Sequence, residues 1–456
     1  MDNFFKLTER GTDVKTEITS GITTFLAMVY ILAVNPSILS STGMDSGSIF
    51  TATCISAAVG CFCMAFFANY PVALASGMGL NAYFAYTVVP NLVKSGVANA
   101  WQIALTAVFV EGIIFILLSV TNFREMLVND IPENLKHAIS AGIGLFVTII
   151  GLKNAGIVAN DDSTLITFGP LYTPQVALAL IGLLIVAILY HYNVKGYILI
   201  GILITWVLGM IAQAAGWYVV DVKAGMYSLY PSFDLGSLIP KDHNIWAFNF
   251  QWVGTHILDF AVVVFSFLFV DIFDTVGTLI GVASKGNLLD ENGKLPNAKG
   301  ALLADAVATV FGAIFGTSTV TSFVESTAGV ANGGRTGLTA ITSGVLFIIA
   351  LFFSPIFLAI PSFATTPALV WVGLLMLGSI KDVDFGSDTA DTVGAFLAIV
   401  MMPFTSSIAT GIMWGMLSWV LLKVFTGKAK DVKPIMWIVF VLFALYAVKE
   451  VALPTM

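Results

Sequence analysis

The sequence predicts an all-α polytopic membrane protein of fourteen spans, built as two inverted seven-span repeats. Three observations carry that expectation: an extreme apolar content, basic residues gathered on one face, and an interrupted span at the same rank in each half. Of 456 residues, 58% are hydrophobic and 10% charged, with a mean hydropathy of +0.93. A soluble domain carries about a quarter charged residues, so these charges suffice only for the loops between spans. The net charge of −7 and pI near 5.0 exclude a nucleic-acid-binding protein. Cys54, Cys61 and Cys63 fall in one apolar run, with no histidine nearby to complete a metal set, and read as ordinary membrane-helix residues. No cleavable leader is expected, because the first apolar run is itself of full span length.

A bilayer-crossing helix needs ~20 residues. Runs that meet this lie near 16–36, 48–69, 100–120, 137–152, 174–191, 196–216, 256–283, 298–316, 337–354, 365–380, 390–404 and 407–425. Two further segments, 73–89 and 318–334, are apolar but interrupted by Gly, Asn, Ser and Thr, and complete the fourteen. The expected organisation is a first repeat over 1–216, an inter-repeat loop over 217–255, a second repeat over 256–425 and a hydrophobic C-terminal segment over 426–456. Within that last segment, 435–449 is apolar, and either spans the membrane or lies at its surface.

With an inside N-terminus, the inside segments hold Lys6, Arg10, Lys15, Arg124, Lys136, Lys195, Lys285, Lys294, Lys299, Arg335, Lys381, Lys423, Lys428, Lys430 and Lys433. The opposite face holds Lys94, Lys153, Lys223 and Lys241, a fifteen-to-four bias of the kind the positive-inside rule requires. Moving one span would invert every later loop and destroy it. The halves also resemble each other. Ile131-Pro132 precedes Gly144-Leu145 as Ile360-Pro361 precedes Gly373-Leu374, and Gly196–Gly201…Trp206 parallels Gly411–Gly415…Trp419 with a one-residue slip. An odd number of spans per half makes the second repeat run inverted. Inverted repeats with broken helices at matching positions are the mark of secondary transporters.

The chemistry-bearing residues cluster in three spans. Span three reads Ala75-Ser-Gly77-Met-Gly79-Leu-Asn81-Ala-Tyr83, in which glycines permit a non-helical stretch and the following half-helix directs free N–H groups inward. Asn81 adds an amide at that level. Span eight reads Phe269-Val-Asp271-Ile-Phe-Asp274-Thr275-Val-Gly277-Thr278, placing two carboxylates on one helical face. Intramembrane acids are costly and usually mark a cavity or a proton path; two on one face also repel. Span ten, Gly316-Thr-Ser-Thr-Val-Thr-Ser322-Phe-Val-Glu325-Ser326-Thr327, predicts a short extended stretch, then a half-helix, with Glu325 at the break. Glu111 and Asp305 also lie in apolar context, as relay groups or as hydrogen-bonded structural residues; Asp259 reads as interfacial. His137, His191, His243 and His256 fall near span ends or in loops and are assigned no role.

Four of these stretches carry a family resemblance: Thr16-Glu-Ile-Thr-Ser-Gly-Ile-Thr-Thr-Phe25, the span-three Gly-Met-Gly-Leu-Asn-Ala-Tyr-Phe, the span-eight Asp-Ile-Phe-Asp-Thr-Val-Gly-Thr and the span-ten Glu-Ser-Thr-Ala-Gly-Val…Gly-Gly-Arg-Thr-Gly. From about Leu7 to Val448 the chain resembles AzgA-type purine permeases, the hypoxanthine, guanine and adenine branch of the nucleobase–cation symporter (nucleobase–ascorbate transporter) family. That resemblance implies a core domain over 16–120 and 256–354, a gate domain over 132–216 and 365–425, and short strands in spans three and ten beside the substrate. It implies import of a purine nucleobase with protons through the inner (plasma) membrane, by a homodimer with cytoplasmic N-termini, without a cofactor. By motif, Asn81, Asp274 and Glu325, with Thr278 and Ser326 beside them, would bind the base, and Asp271, Asp274 and Glu325 would couple protons. Asp274, two residues before Val276-Gly277, is the better candidate for direct contact. The histidines of the uracil and xanthine branches are replaced here by Thr23, Thr24, Thr275 and Thr278, so those specificities do not transfer.

Chemistry fits that implication. A purine is flat and neutral and presents N–H donors that a carboxylate accepts, and the 35 phenylalanines offer material for a stacking wall. An anion exchanger on the same architecture would want cationic groups where three carboxylates are expected. A membrane enzyme would need a metal or nucleophile set that the sequence does not display.

Overall fold

The computed structural model describes residues 2–120, 130–221, 226–231, 243–290 and 295–452; Arg124, Lys223, Lys241 and Lys294 of the charge count lie outside them. Among the described residues, ten helices are long and apolar enough to cross a membrane. They are spans one (Val14–Thr42), two (Ser46–Ala68), four (Ala100–Ser119), five (Glu133–Asn154), six (Pro174–His191), seven (Tyr197–Ala214), nine (Ala298–Phe315), eleven (Gly337–Leu358), twelve (Ser362–Asp382) and fourteen (Ile408–Phe425). Span eight is the acid-bearing helix Ile257–Lys285, and span thirteen is Thr389–Thr405. Polar side chains start many of them by accepting the orphan first-turn N–H groups: Asp13 from Thr16, Asp45 from Ser48, Asn297 from Gly300 and Ser407 from Thr410.

Span one is longer than the expected 16–36 and is broken. Its helices Val14–Met28 and Ile31–Leu39 meet at Val29-Tyr30. Pro36 cannot donate and crowds the preceding turn, and above it the backbone tightens, with Leu32 N–H reaching Val29 and Ala33 N–H reaching Tyr30. Span eleven extends to Leu358, and the expected loop 217–255 ends in a short helix, Phe250–Thr255, because Asn249 accepts from Trp252 N–H and caps it. A hairpin follows span five, in the connection to span six. Strands β2 (Val158–Asp161) and β3 (Leu165–Phe168) pair antiparallel around Asp161, whose carboxylate accepts from Ser163 and Thr164. Those bonds hold the Asp161 carboxyl below the usual carboxylate range.

Spans three and ten cross in pieces. Strand β1 (Leu74–Ser76) and strand β4 (Val320–Ser322) pair antiparallel, Ala75 opposite Thr321, and each is followed by a six-residue helix, Met78–Tyr83 and Ser326–Ala331. Further bonds prolong the ladder at both ends, from Gly77 N–H to Thr319 at 3.0 Å and from Phe323 N–H to Ala73 at 3.0 Å. Non-helical backbone is tolerated at membrane depth only when its polar groups are satisfied within the protein, and here each interrupted span satisfies the other.

Around this pair, span one packs on span eleven, span two on nine and eleven, and span four on nine. Spans five, twelve, thirteen and fourteen pack on one another, as do six, seven and twelve. Buried Glu17 locks span one to span eleven by accepting from the Arg335, Thr336 and Thr339 N–H groups and from the Thr339 hydroxyl at 2.6 Å. Spans five and twelve cross at the two glycines matched by the internal repeat: a Cβ on Gly144 would lie 2.6 Å from the Gly373 carbonyl, and one on Gly373 would lie 2.5 Å from the Gly144 carbonyl. Near span fourteen, the half-buried region around Asp388 joins loops and helices, since its carboxylate binds Lys423 at 3.2 Å and Lys428 at 2.5 Å and caps span thirteen. The C-terminal segment is a helix, Pro434–Ala452, that packs on span fourteen; its Phe443 sets its ring 5.4 Å from Phe265 and 6.0 Å from Phe269 of span eight.

Two stability outcomes follow. A Cβ on Gly77 would lie 2.5 Å from Thr321 Cγ2. Gly77→Ala should therefore lower the unfolding temperature and transport, and Thr321→Ser in the same chain, which deletes that methyl but keeps the hydroxyl, should recover much of both; no recovery would refute the steric account. Asp388→Ala should cost about 2 kcal/mol, from the cap and the ion pairs together. Lys428 above all holds the Asp388 carboxyl below its ordinary range. A depressed folded-state value means that the stabilisation is complete above the unfolded pKa of about 3.9 and fades only as pH falls further. The mutant's deficit in thermal unfolding should accordingly be constant from pH 5 to 8, roughly the plateau set by that linkage; a deficit gone by pH 6 would contradict it.

Candidate functional site

The expected site residues converge on the β1–β4 pair, where they divide into two sets. Asn81, Asp271 and Ser326 are fully buried, and each carries part of the frame. The Asn81 carboxamide oxygen accepts from Ser76 Oγ at 2.8 Å and from Ser318 Oγ, so it ties the half-helix of span three to the approach of β4. Ser326 Oγ accepts from Ala73 N–H at 3.0 Å, fastening the half-helix of span ten to the start of β1. Asp271 joins a cluster around Thr275, whose hydroxyl lies 3.2 Å from Asp271 Oδ1, 2.8 Å from Asp305 Oδ2 and 2.8 Å from Thr321 Oγ1. Asp305 in turn accepts from Ser322 N–H at 3.1 Å. Span eight is thereby bound to β4 and span nine through side chains one turn apart.

Asp274, Thr278 and Glu325 are the second set, and each is only half-buried. Helical spacing separates them from the frame: Asp271 and Thr275 form one i, i+4 row, and Asp274 and Thr278 form the adjacent row. Asp274 reaches the break itself, since its Oδ2 lies 3.7 Å from where a Cβ on Gly77 would sit. It is within electrostatic reach of Asp305 and Glu325. Glu325 stands at the first turn of the span-ten half-helix and accepts a hydrogen bond on Oε1 from the Tyr30 hydroxyl. That half-helix sits tight on span one because of Gly329, where a Cβ would fall 2.0 Å from Thr24 Oγ1 and 2.7 Å from the Ser20 carbonyl.

Glu111 of span four is buried and accepts from Thr319 Oγ1 at 3.0 Å, just before β4, and Asn35 of span one bonds Thr53 and Thr317. Glu111 and Asp305 both make hydrogen bonds at the strand pair. Sequence reasoning missed Tyr30, Thr317, Ser318 and Ser76; a lone tyrosine in the middle of an aliphatic span was the available signal for the first. The aromatic groups tied to Glu325 among the described residues are tyrosines: Tyr30 by its hydrogen bond, and Tyr197 of span seven within electrostatic reach. Tyr197 Oη accepts from Trp371 Nε1 of span twelve at 3.0 Å, and Tyr190 packs on both rings with centroids 5.3 Å and 5.0 Å away. Polar contacts bridge the two groups of packed spans on either side of the strand pair. Lys195 reaches Asn332 at 2.8 Å near the end of the span-ten half-helix, whereas Asn154 donates to Tyr86 Oη at 2.9 Å and Thr87 donates to the Ser406 carbonyl at 2.8 Å.

The arrangement offers carboxylate acceptors beside the non-helical backbone of the strand break, with tyrosine rings tied to Glu325 and no cationic side chain among the residues just described at the break. Known proteins are similar to this chain in fold and in sequence. The transmembrane domain of a cyanobacterium bicarbonate transporter, BicA, superposes with a TM-score of 0.62 at 15% identity, covering 87% of this chain and 97% of that one, and so shares the fold. Guanine/hypoxanthine permease PbuO of Bacillus subtilis is 45% identical over 446 residues, 96% of this chain and 98% of its own length. Adenine permease AdeP of Escherichia coli is 41% identical over 446 residues, 98% of this chain and 95% of its own. Residues 15–414 match the family model described as "Permease family". Matched along nearly its whole length by that model and by relatives named as purine permeases, the chain is a multi-pass membrane protein that belongs to this nucleobase permease family.

Proposed function

We propose that this permease imports a purine nucleobase, hypoxanthine, guanine or adenine, together with protons, by alternating access. The observation that carries the reading is the pair of half-buried carboxylates, Asp274 and Glu325, flanking the break between β1 and β4. Neutral purines carry N–H donors on a flat edge, and a carboxylate accepts such donors with bonds stronger than those of neutral acceptors. The relatives named as guanine/hypoxanthine and adenine permeases support the substrate class.

In this mechanism the core, residues 16–120 and 256–354, carries the strand pair and the acids and moves against the gate, residues 132–216 and 365–425. Asp274 and Glu325 contact the base, with Thr278 beside them. Asn81 and Ser326 act through position, holding the half-helices at the break, and Asp271, one turn from Asp274, serves the proton step. Carrying a bare carboxylate through the cycle is costly in a low-dielectric interior, and protonation of Asp274 or Glu325 removes that cost, which links proton entry to base entry. The basic bias places the N-terminus in the cytoplasm, and the working unit is a homodimer in the plasma membrane.

Radiolabelled hypoxanthine uptake in cells, challenged with unlabelled guanine, adenine, bicarbonate and sulfate, tests the substrate class: purines should compete and anions should not, and competition by anions alone would overturn it. In proteoliposomes, accumulation should follow an inward proton gradient; accumulation driven by sodium and not by protons would refute the coupling. Glu325→Gln should weaken binding by about 1.5–3 kcal/mol, the worth of a hydrogen bond to a charged group, and Asp274→Asn should abolish binding and transport. Asp271→Asn should impair accumulation more than binding in calorimetry beside uptake, and the reverse order for the two aspartates would exchange their roles.

A further inference from the structure

Glu325 caps a half-helix of only six residues, next to a strand, and its carboxylate has three rotatable bonds, Cα–Cβ, Cβ–Cγ and Cγ–Cδ, with which to swing. A flexible acceptor loses side-chain entropy each time it captures a ligand, and preorganising it removes that loss. The side chain that restrains it comes from span one. Tyr30 is fully buried, sits at the break between the helices Val14–Met28 and Ile31–Leu39, and donates its hydroxyl proton to Glu325 Oε1. Its carbonyl is engaged as well, by Ala33 N–H at 3.0 Å and Val34 N–H at 3.0 Å, so the ring is anchored at its root.

We propose that Tyr30 is a positioning residue for Glu325: it holds one carboxylate oxygen and thereby aims the other at an N–H of the base. This deepens the purine reading and rests on it. Two features argue that the bond is a built part of the site and not an incidental contact. Tyr30 stands at the break in span one and meets the Glu325 carboxylate at the start of the span-ten half-helix. Span one also packs directly on the span-ten half-helix, through Gly329 against Ser20 and Thr24, so both partners belong to one packed unit and the bond persists while the gate moves. Tyr197 differs in this respect, because it stands on span seven and approaches Glu325 from the other group of spans. Tyr30 keeps the carboxylate aimed in every state of the cycle without touching the base itself.

The test is a double-mutant cycle on purified protein, with hypoxanthine and adenine binding measured by calorimetry and unfolding temperature measured without ligand. Tyr30→Phe keeps the ring and its packing. It should weaken binding of both bases by about tenfold, the lower end of a charge-assisted hydrogen bond. In a Glu325→Gln background the same change should cost less than about twofold, since the oxygen it aims no longer carries the charge. Should Glu325→Gln bind too weakly to measure, Glu325→Asp, one methylene too short to reach Tyr30, serves as the second background with the same expectation. An equal loss in both backgrounds would assign Tyr30 to packing and overturn the proposal, as would unchanged affinity in Tyr30→Phe. Wild-type protein that binds neither base would instead overturn the purine reading on which the proposal stands.

Discussion

Two segments of this chain leave the α-helix in the middle of a bilayer, and the structure depends on their hydrogen bonds to each other. Antiparallel pairing of β1 with β4, extended by the Gly77–Thr319 and Phe323–Ala73 bonds, satisfies backbone groups that lipid cannot. Once the pair forms, its surroundings follow from the need to satisfy what remains. Asp305 takes the Ser322 N–H, Ser326 takes the Ala73 N–H, Thr309 exchanges hydrogen bonds with Val320, and Glu111 takes the Thr319 hydroxyl. Spans four and nine are thereby committed to two three-residue strands.

That commitment explains why the buried polar residues outnumber those available for binding. A carboxylate placed in a membrane interior is tolerated where other polar groups surround it, and most of the acids here are spent on the frame. Asp271 and Asp305 gather around the Thr275 hydroxyl, while Glu17 caps the start of span eleven with both oxygens. On span eight, residues four apart share a row, so Asp271 and Thr275 lie along one row in the cluster at Thr321, and Asp274 and Thr278 lie half-buried along the next.

Inverted symmetry supplies the second constraint. The repeat-matched glycines Gly144 and Gly373 face each other so closely that each bars a side chain on its partner, which brings spans five and twelve into backbone contact. Small residues at such crossings are the usual route to close packing where lipid offers no hydrophobic drive. A bicarbonate transporter domain adopts the same fold at 15% identity. A shared fold does not by itself fix a cargo.

Hydropathy, the fifteen-to-four basic bias and the matched interruptions determined the spans, their order and the inverted repeat from sequence alone, because lipid imposes length, polarity and backbone satisfaction residue by residue. The same logic located the acids: an Asp or Glu in an apolar run stands out without knowledge of its neighbours. Sequence could not separate frame from site. Asn81 and Ser326 read as ligands of the base, and their hydrogen bonds to Ser318 and Ala73 come from segments more than two hundred residues distant in the chain. For Tyr30 the sequence shows a lone tyrosine in an aliphatic span, and only the break in span one sets its hydroxyl on Glu325. The β2–β3 hairpin was hidden as well, in a connection too short and polar to show a strand period. Local composition fixes which groups a membrane will accept; only tertiary packing decides which partner each one meets, and so which carboxylates remain open to a ligand.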